Sequence, residues 1–230
     1  MIPMLGTLVN TAAILAGSLA GSALKKGLGK KYQNALYDAM GFAAAFLGVN
    51  AVASNLPHSE FPVLFILSLA AGSVVGEKLD LDGRFQRLVD RVSGRGLAQG
   101  LSTGILLCCV GTLSILGPIQ SALGGDNTYL FTNATLDFVT FLVLGSTYGV
   151  GMCAAAGVLF LWQGAIYLGA SALQGFLQGG LLCELSVVGG VLIAASGLSI
   201  LKIKHTKALN MLPSLLVPVL WYGGRALLGL

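Results

Sequence analysis

Apolar stretches long enough to cross a bilayer follow one another along the whole of this chain, near residues 2–23, 34–54, 61–79, 97–117, 128–148, 150–170, 183–203 and 211–229. A hydrocarbon core of about 30 Å takes roughly 20 helical residues to span. The chain is 55% hydrophobic and 10% charged, with a mean hydropathy of +0.85. A soluble fold cannot hide that much apolar surface, since its own exterior must stay partly polar. The expectation is therefore an all-α, polytopic transmembrane helical bundle of eight spans, forming one integral membrane domain over 1–230. The count falls to seven if the uncharged turn "GSTYGVGM" at 145–152 joins one bent pair. The first stretch has no basic region ahead of it, so it reads as a retained span and not as a cleaved leader.

The charges fix an orientation. Lys25, Lys26, Lys30 and Lys31 fall in the first loop, Lys78, Arg84, Arg87, Arg91 and Arg95 in the third, and Lys202, Lys204 and Lys207 in the seventh. Only Arg225 lies elsewhere, and the loops "SNLPHSEF" and "SALGGDNTY" hold no Lys or Arg. With eight spans, all three basic loops reach one face. The positive-inside rule makes that face cytoplasmic and puts both termini outside. The basic balance thus belongs to membrane topology, and no nucleic-acid partner is expected. Within 80–92, Leu81, Phe85, Leu88 and Val92 recur at helical spacing between arginines, with Asp80 or Asp82 as cap. That predicts a short amphipathic helix on the inner membrane surface, in reach of anionic head groups.

Glycine recurs in two patterns. Gly-Ser-x-x-Gly appears at 17–21, 72–76 and 145–149, giving the pairs Gly17/Gly21, Gly72/Gly76 and Gly145/Gly149. Small residues four apart let helix backbones approach closely in lipid, so these six are expected to pack helices. Glycines seven apart, at Gly41/Gly48, Gly104/Gly111 and Gly190/Gly197, each mark one face over two turns. Together they indicate internal helical-hairpin repeats over 1–55, 56–122 and 123–205, followed by the final span 211–229. The small-residue faces also make a homodimer an expectation.

Few ionisable groups lie inside the spans. Asp137, in "FTNATLDFVTFLV", falls near the middle of the fifth. A carboxylate there costs roughly 2.5–3.5 kcal/mol on insertion scales, so it should face the bundle interior or an aqueous cavity. Asn133 and Thr140 share its face. Asn10 and Thr11 beside Thr7 in span one, Asn50 in span two, Thr112 and Ser114 in span four, and Gln163 in span six add neutral polar groups. One carboxylate among carbonyl and hydroxyl oxygens suits a hard cation or a proton. A structural, hydrogen-bonded carboxylic acid is the bland alternative. Asp38 and Glu184 sit near span ends and read as structural. Gly117-Pro118, Pro213 and Pro218 are places where a helix can break or kink.

Cys108, Cys109, Cys153 and Cys183 form no CxxC, and His58 and His205 are far apart in sequence. No metal site and no cofactor are expected. An intramembrane enzyme needs a nucleophile with its base, paired carboxylates or a His set, and none of these is found, so an enzyme is not expected.

The segments "GTLVNTAAILAGSLAG", "CCVGTLSILGPIQSALGGD", "LDFVTFLVLGSTYGVG" and "LPSLLVP" resemble, in order and spacing, the YqgA/YdfK family of bacterial inner-membrane proteins. The resemblance covers nearly the whole chain. It implies a multi-pass protein of the bacterial inner membrane and, since that family has no assigned function beyond a suggested role in transport, little chemistry. The reading from residues and resemblance is a transporter or channel-like protein for a small ion or solute, proton- or cation-coupled through Asp137. The competing reading is a non-transporting scaffold that binds a partner or anionic lipid through 80–92.

Overall fold

The structure, a computed structural model, describes residues 3–24, 29–84, 87, 101, 104–105, 107–109, 112–172, 180–204 and 206–228. The described residues are helices and their connections: α1 Leu5–Ala23, α2 Lys30–Asn55, α3 Leu64–Leu79, α4 Thr112–Gly124, α5 Thr128–Tyr148, α6 Ala154–Ala172, α7 Gly180–Ile200, α8 Ala208–Met211 and α9 Leu216–Leu228. Most of the amphipathic segment 80–92, together with His205 and Gly111, lies outside the described residues.

Among the described residues, six helices are long and apolar enough to cross a membrane: Leu5–Ala23, Lys30–His58, Leu107–Gly124, Thr128–Tyr148, Val150–Ala172 and Gly180–Ile200. The expectation of eight spans differs at two places. The third stretch yields only the 16 residues of α3, which stop where Asp80 takes a left-handed φ of 46°. The last is interrupted, because Pro213 opens a 3-10 turn over Leu212–Leu215 between α8 and α9. Pro218 does not kink α9. It falls in the first turn, where backbone N–H groups have no intrahelical acceptor. The 145–152 turn separates two helices: α5 ends at Gly149, whose φ of 83° favours glycine, and a 3-10 turn over Val150–Cys153 leads into α6. Gly117-Pro118 does not end a helix either. Pro118 lies inside α4, which runs on to Gly124.

The chain packs as two compact units. The first comprises Met1–Met40 and Phe85–Gln174, the second Gly41–Arg84 and Gly175–Leu230.

In the first unit α1 and α5 lie side by side and run parallel. Gly6 meets Leu130, Gly17 meets the carbonyl of Phe138, and Gly21 meets that of Leu142, so the register advances together along both helices. Gly145 answers from α5, where a Cβ would lie 2.6 Å from the carbonyl of Ser18. Buried positions of α1 follow one stripe: Gly6, Thr7, Asn10, Ile14, Gly17, Ser18 and Gly21. That helical period carries glycine and polar residues onto the same contact face. Beside it an apolar core gathers Ile14, Ile105, Cys108, Phe141, Met152 and Leu159.

In the second unit α2 and α7 run antiparallel through the glycines spaced seven apart. Gly41 lies against Leu201, Gly48 against Gly190 and Ala194, and Gly197 against Gly41 and Ala45. Gly72 and Gly76 of α3 press on the backbone of Ser214 and Asn210, again in opposite directions. Gly149, expected to pack with Gly145, does not. A Cβ there would meet nothing within 4 Å, and its role is the left-handed turn that stops α5.

A candidate polar site in the first unit

Asp137 is 5% exposed on α5, and its Oδ2 accepts a hydrogen bond of 2.9 Å from Asn133 Nδ2, one turn earlier. Asn133 and Thr140 are buried with it. The parallel register carries Asn10 of α1 to this level, and its amide faces the Asp137 carboxyl. Asn10 is fully buried, yet neither its Oδ1 nor its Nδ2 closes a hydrogen bond of good geometry. Thr7 Oγ1 and Ser18 Oγ, on the same stripe, are also buried without a partner. Polar atoms shut away from water are ordinarily paired, since leaving one unmade costs about 1–3 kcal/mol. Four such groups on one seam beside a carboxyl therefore single the seam out.

Two more helices close on it. α4 packs against α5 and α6, and α1 touches both α4 and α6. Gly117 of α4 lies against the same Leu130 that meets Gly6, and Met4 reaches Gly164 of α6. About one turn further along α4, α5 and α1 come Ser114, Asn133 and Asn10, with Gln163 next to Gly164 on α6 and Asp137 a further turn along α5. At 1.5 Å rise per residue they occupy a layer about 6 Å deep, Asp137 lying at its far edge. Ser114 and Gln163 are fully buried and joined by a bond from Gln163 Nε2 to Ser114 Oγ of 3.1 Å.

Asn127 secures this arrangement at the start of α1. Its Oδ1 accepts from the backbone N–H of Gly6 at 3.2 Å and from Ser121 Oγ at 2.8 Å, so one side chain ties α1, α4 and α5. The N–H of Gly6 is one of those that no intrahelical acceptor satisfies. The sequence signal was available, an Asn in the turn preceding a helix, but its partner 121 residues away was not.

The structure brings Asp137, Asn133, Thr140, Asn10 and Ser114 into one unit. It leaves two expected members out. Thr11 is only half-buried, and its Oγ1 donates back to the carbonyl of Thr7 at 2.8 Å. Asn50 is exposed on α2 in the other unit, because the face of α2 that packs is the glycine face of Gly41 and Gly48. Among the described residues no group of three or more His, Cys, Asp or Glu is placed to hold a metal ion.

The second unit holds a buried carboxylate that the sequence reading set aside as a span-end residue. Glu184 is 1% exposed, and its Oε1 accepts from Ser59 Oγ at 2.6 Å and from the N–H of Phe61 at 3.2 Å, anchoring the turn between α2 and α3. Nearby, Arg225 pairs with Glu60 at 3.2 Å and lies over the ring of Phe61 at 5.0 Å. Trp221 and Tyr222 both pack edge-on against Phe61. At the other end of this unit Glu77 pairs with Lys207 at 3.3 Å and accepts from Asn210 Nδ2 at 2.6 Å, while Asn210 Oδ1 takes the N–H of Asp82.

A family model described as "Protein of unknown function (DUF554)" matches residues 5–223. The "Uncharacterized membrane protein YdfK" of Bacillus subtilis (strain 168) is 54% identical, over 94% of this chain and 94% of its own. The "Uncharacterized protein YqgA" of Escherichia coli (strain K12) is 24% identical, over 93% and 94%. No solved structure matches the chain significantly.

Proposed function

The chain belongs to the DUF554 family and is a multi-pass membrane protein, and from that premise we propose that it moves a small cation or solute across the bacterial inner membrane, with Asp137 as the coupling carboxyl. One observation carries the reading. A carboxyl buried in the middle of a span faces the Asn10 amide, whose Oδ1 is buried with no hydrogen-bond partner. A purely structural carboxyl in lipid is expected to consume the polar groups around it, because nothing else satisfies them there. Here Asn10 Oδ1 remains as an unspent oxygen facing that carboxyl, and carboxyl and amide oxygens are donors that suit a hard cation; Thr7 Oγ1 and Ser18 Oγ lie unspent further along the same stripe of α1. The basic loops face the cytoplasm and both termini lie outside in this reading.

The test is the thermal stability of purified protein across added Na⁺, K⁺ and Mg²⁺, for wild type and Asp137→Asn. A ligand that binds only the folded chain stabilises it by RT ln(1 + [L]/Kd), so at 100 Kd the gain is about 2.7 kcal/mol. Saturable stabilisation by one ion that vanishes in the variant supports transport through this carboxyl. Identical curves for both proteins overturn it and move a scaffold role for 80–92 ahead.

A further inference from the structure

Pro118 stands inside α4. It has no N–H, so the carbonyl of Ser114, four residues earlier, lacks the donor that an unbroken helix supplies. Ser114 is fully buried, and its Oγ already accepts from Gln163 Nε2. That bond uses the donor side of the Gln163 amide. The other side, Gln163 Oε1, is buried and has no hydrogen-bond partner. Three oxygens thus belong to one joined pair of residues on α4 and α6: Gln163 Oε1, Ser114 Oγ with a lone pair to spare, and the Ser114 carbonyl. Two independent features, a proline in mid-helix and an orphaned amide oxygen, leave acceptors on that same pair.

We propose that these three oxygens form an uncharged site for a dehydrated monovalent cation, distinct from the carboxyl of Asp137. The site deepens the transport reading and rests on it for the kind of occupant. Carbonyl and hydroxyl dipoles replace the hydration shell of a monovalent ion, as they do in conduction pathways built from backbone carbonyls. A divalent ion would keep both charges uncompensated in a low-dielectric interior, which excludes it. The site shares a polar layer with Asn133 and Asn10, so an ion leaving the carboxyl of Asp137 would find it one to two turns away.

The experiment is equilibrium binding of radiolabelled sodium and rubidium to the purified full chain in detergent, in wild type and three variants. Pro118→Ala returns an N–H to the Ser114 carbonyl, keeps the fold, and is expected to weaken one class of binding about tenfold, the equivalent of one lost ligand contact. Gln163→Glu adds charge where the acceptor stands and is expected to tighten that class tenfold or more and to admit Mg²⁺. Asp137→Asn removes the other class. If Pro118→Ala and Gln163→Glu bind as the wild type does while Asp137→Asn loses binding, the oxygens hold only a water and this proposal is overturned, with the transport reading intact. If Asp137→Asn binds normally while the other two shift, the carboxyl reading falls and this site stands. Wild-type protein that binds neither ion overturns both.

Discussion

Placing a methyl group at Gly17 should split the seam that sets Asn10 against Asp137. A Cβ there would press into the carbonyl of Phe138 and come within 3.2 Å of the backbone N of Leu142. Both are backbone atoms of α5, so no side chain can rotate aside. The helices must instead move apart by about 1 Å, against two further close contacts at Gly21 and Gly145 in the same seam. Overpacking of this kind costs about 1–3 kcal/mol. Alanine returns about 1 kcal/mol of helix propensity, leaving a net loss of up to about 2 kcal/mol for Gly17→Ala. Gly157→Ala is the matched control, because a Cβ on that exposed face of α6 meets nothing within 4 Å. It should be neutral or stabilising by about 0.5–1 kcal/mol. Thermal unfolding in detergent reads the difference; at about 2–4 °C per kcal/mol for a chain of this size, Gly17→Ala should melt lower by up to about 8 °C, and below Gly157→Ala. Equal melting temperatures for the two variants would refute the close approach of α1 to α5.

Three other outcomes are expected. Asn127→Ala leaves the Gly6 N–H and Ser121 Oγ without their shared acceptor and should cost about 1–3 kcal/mol, whereas Asn127→Asp keeps the oxygen and should cost less; chemical denaturation that ranks the two the other way would show the clamp to be inert. Glu184→Ala strips Ser59 and the Phe61 N–H of their acceptor and should expose the turn between α2 and α3 to protease, while Glu184→Gln, which retains an oxygen, should protect it; equal cleavage of both would argue that the aromatic packing of Phe61 alone holds the turn. With His58 or Lys204 replaced by Cys, a membrane-impermeant maleimide added to intact cells should label the first and not the second, and the reverse pattern would invert the topology.

Helix, membrane and the position of Asp137 were legible in the residues because each rests on local properties: run length, hydropathy and a charge within an apolar stretch. The glycine pairs were legible as packing faces for the same reason, since period alone decides which residues share a face. Their partners were not. That Gly17 meets Phe138 and Gly145 meets Ser18 across parallel helices, or that Gly41 and Gly48 mesh with Gly197 and Gly190, depends on contacts more than a hundred residues apart. Asn50 shows the limit plainly: its polarity suggested a site, but the glycine face of the same helix won the contact and turned Asn50 outward. Glu184 shows the converse. Its place near a span end read as structural without naming a partner, and the turn at Ser59–Phe61 supplies one and leaves it 1% exposed.

Pro118 joins these two kinds of information. A proline in an apolar run reads as a break when only the local chain is considered, because the lost hydrogen bond and the ring clash together cost about 3 kcal/mol. The helix nevertheless continues to Gly124, so tertiary contacts outweigh that penalty. Gly117 sits against Leu130 and Ser114 against Gln163, which fixes the turn that precedes the proline. The unspent carbonyl is then neither exposed to solvent nor absorbed by the helix. In a water-poor interior such a group is stable only beside a donor or a cation, and Gln163, which bonds the same residue, has already directed its donor to Ser114 Oγ. Retaining the proline is therefore a cost to folding that replacement by alanine would relieve. A Pro118→Ala protein that is more stable without ions and less responsive to them is the combination that only a binding role for this carbonyl produces.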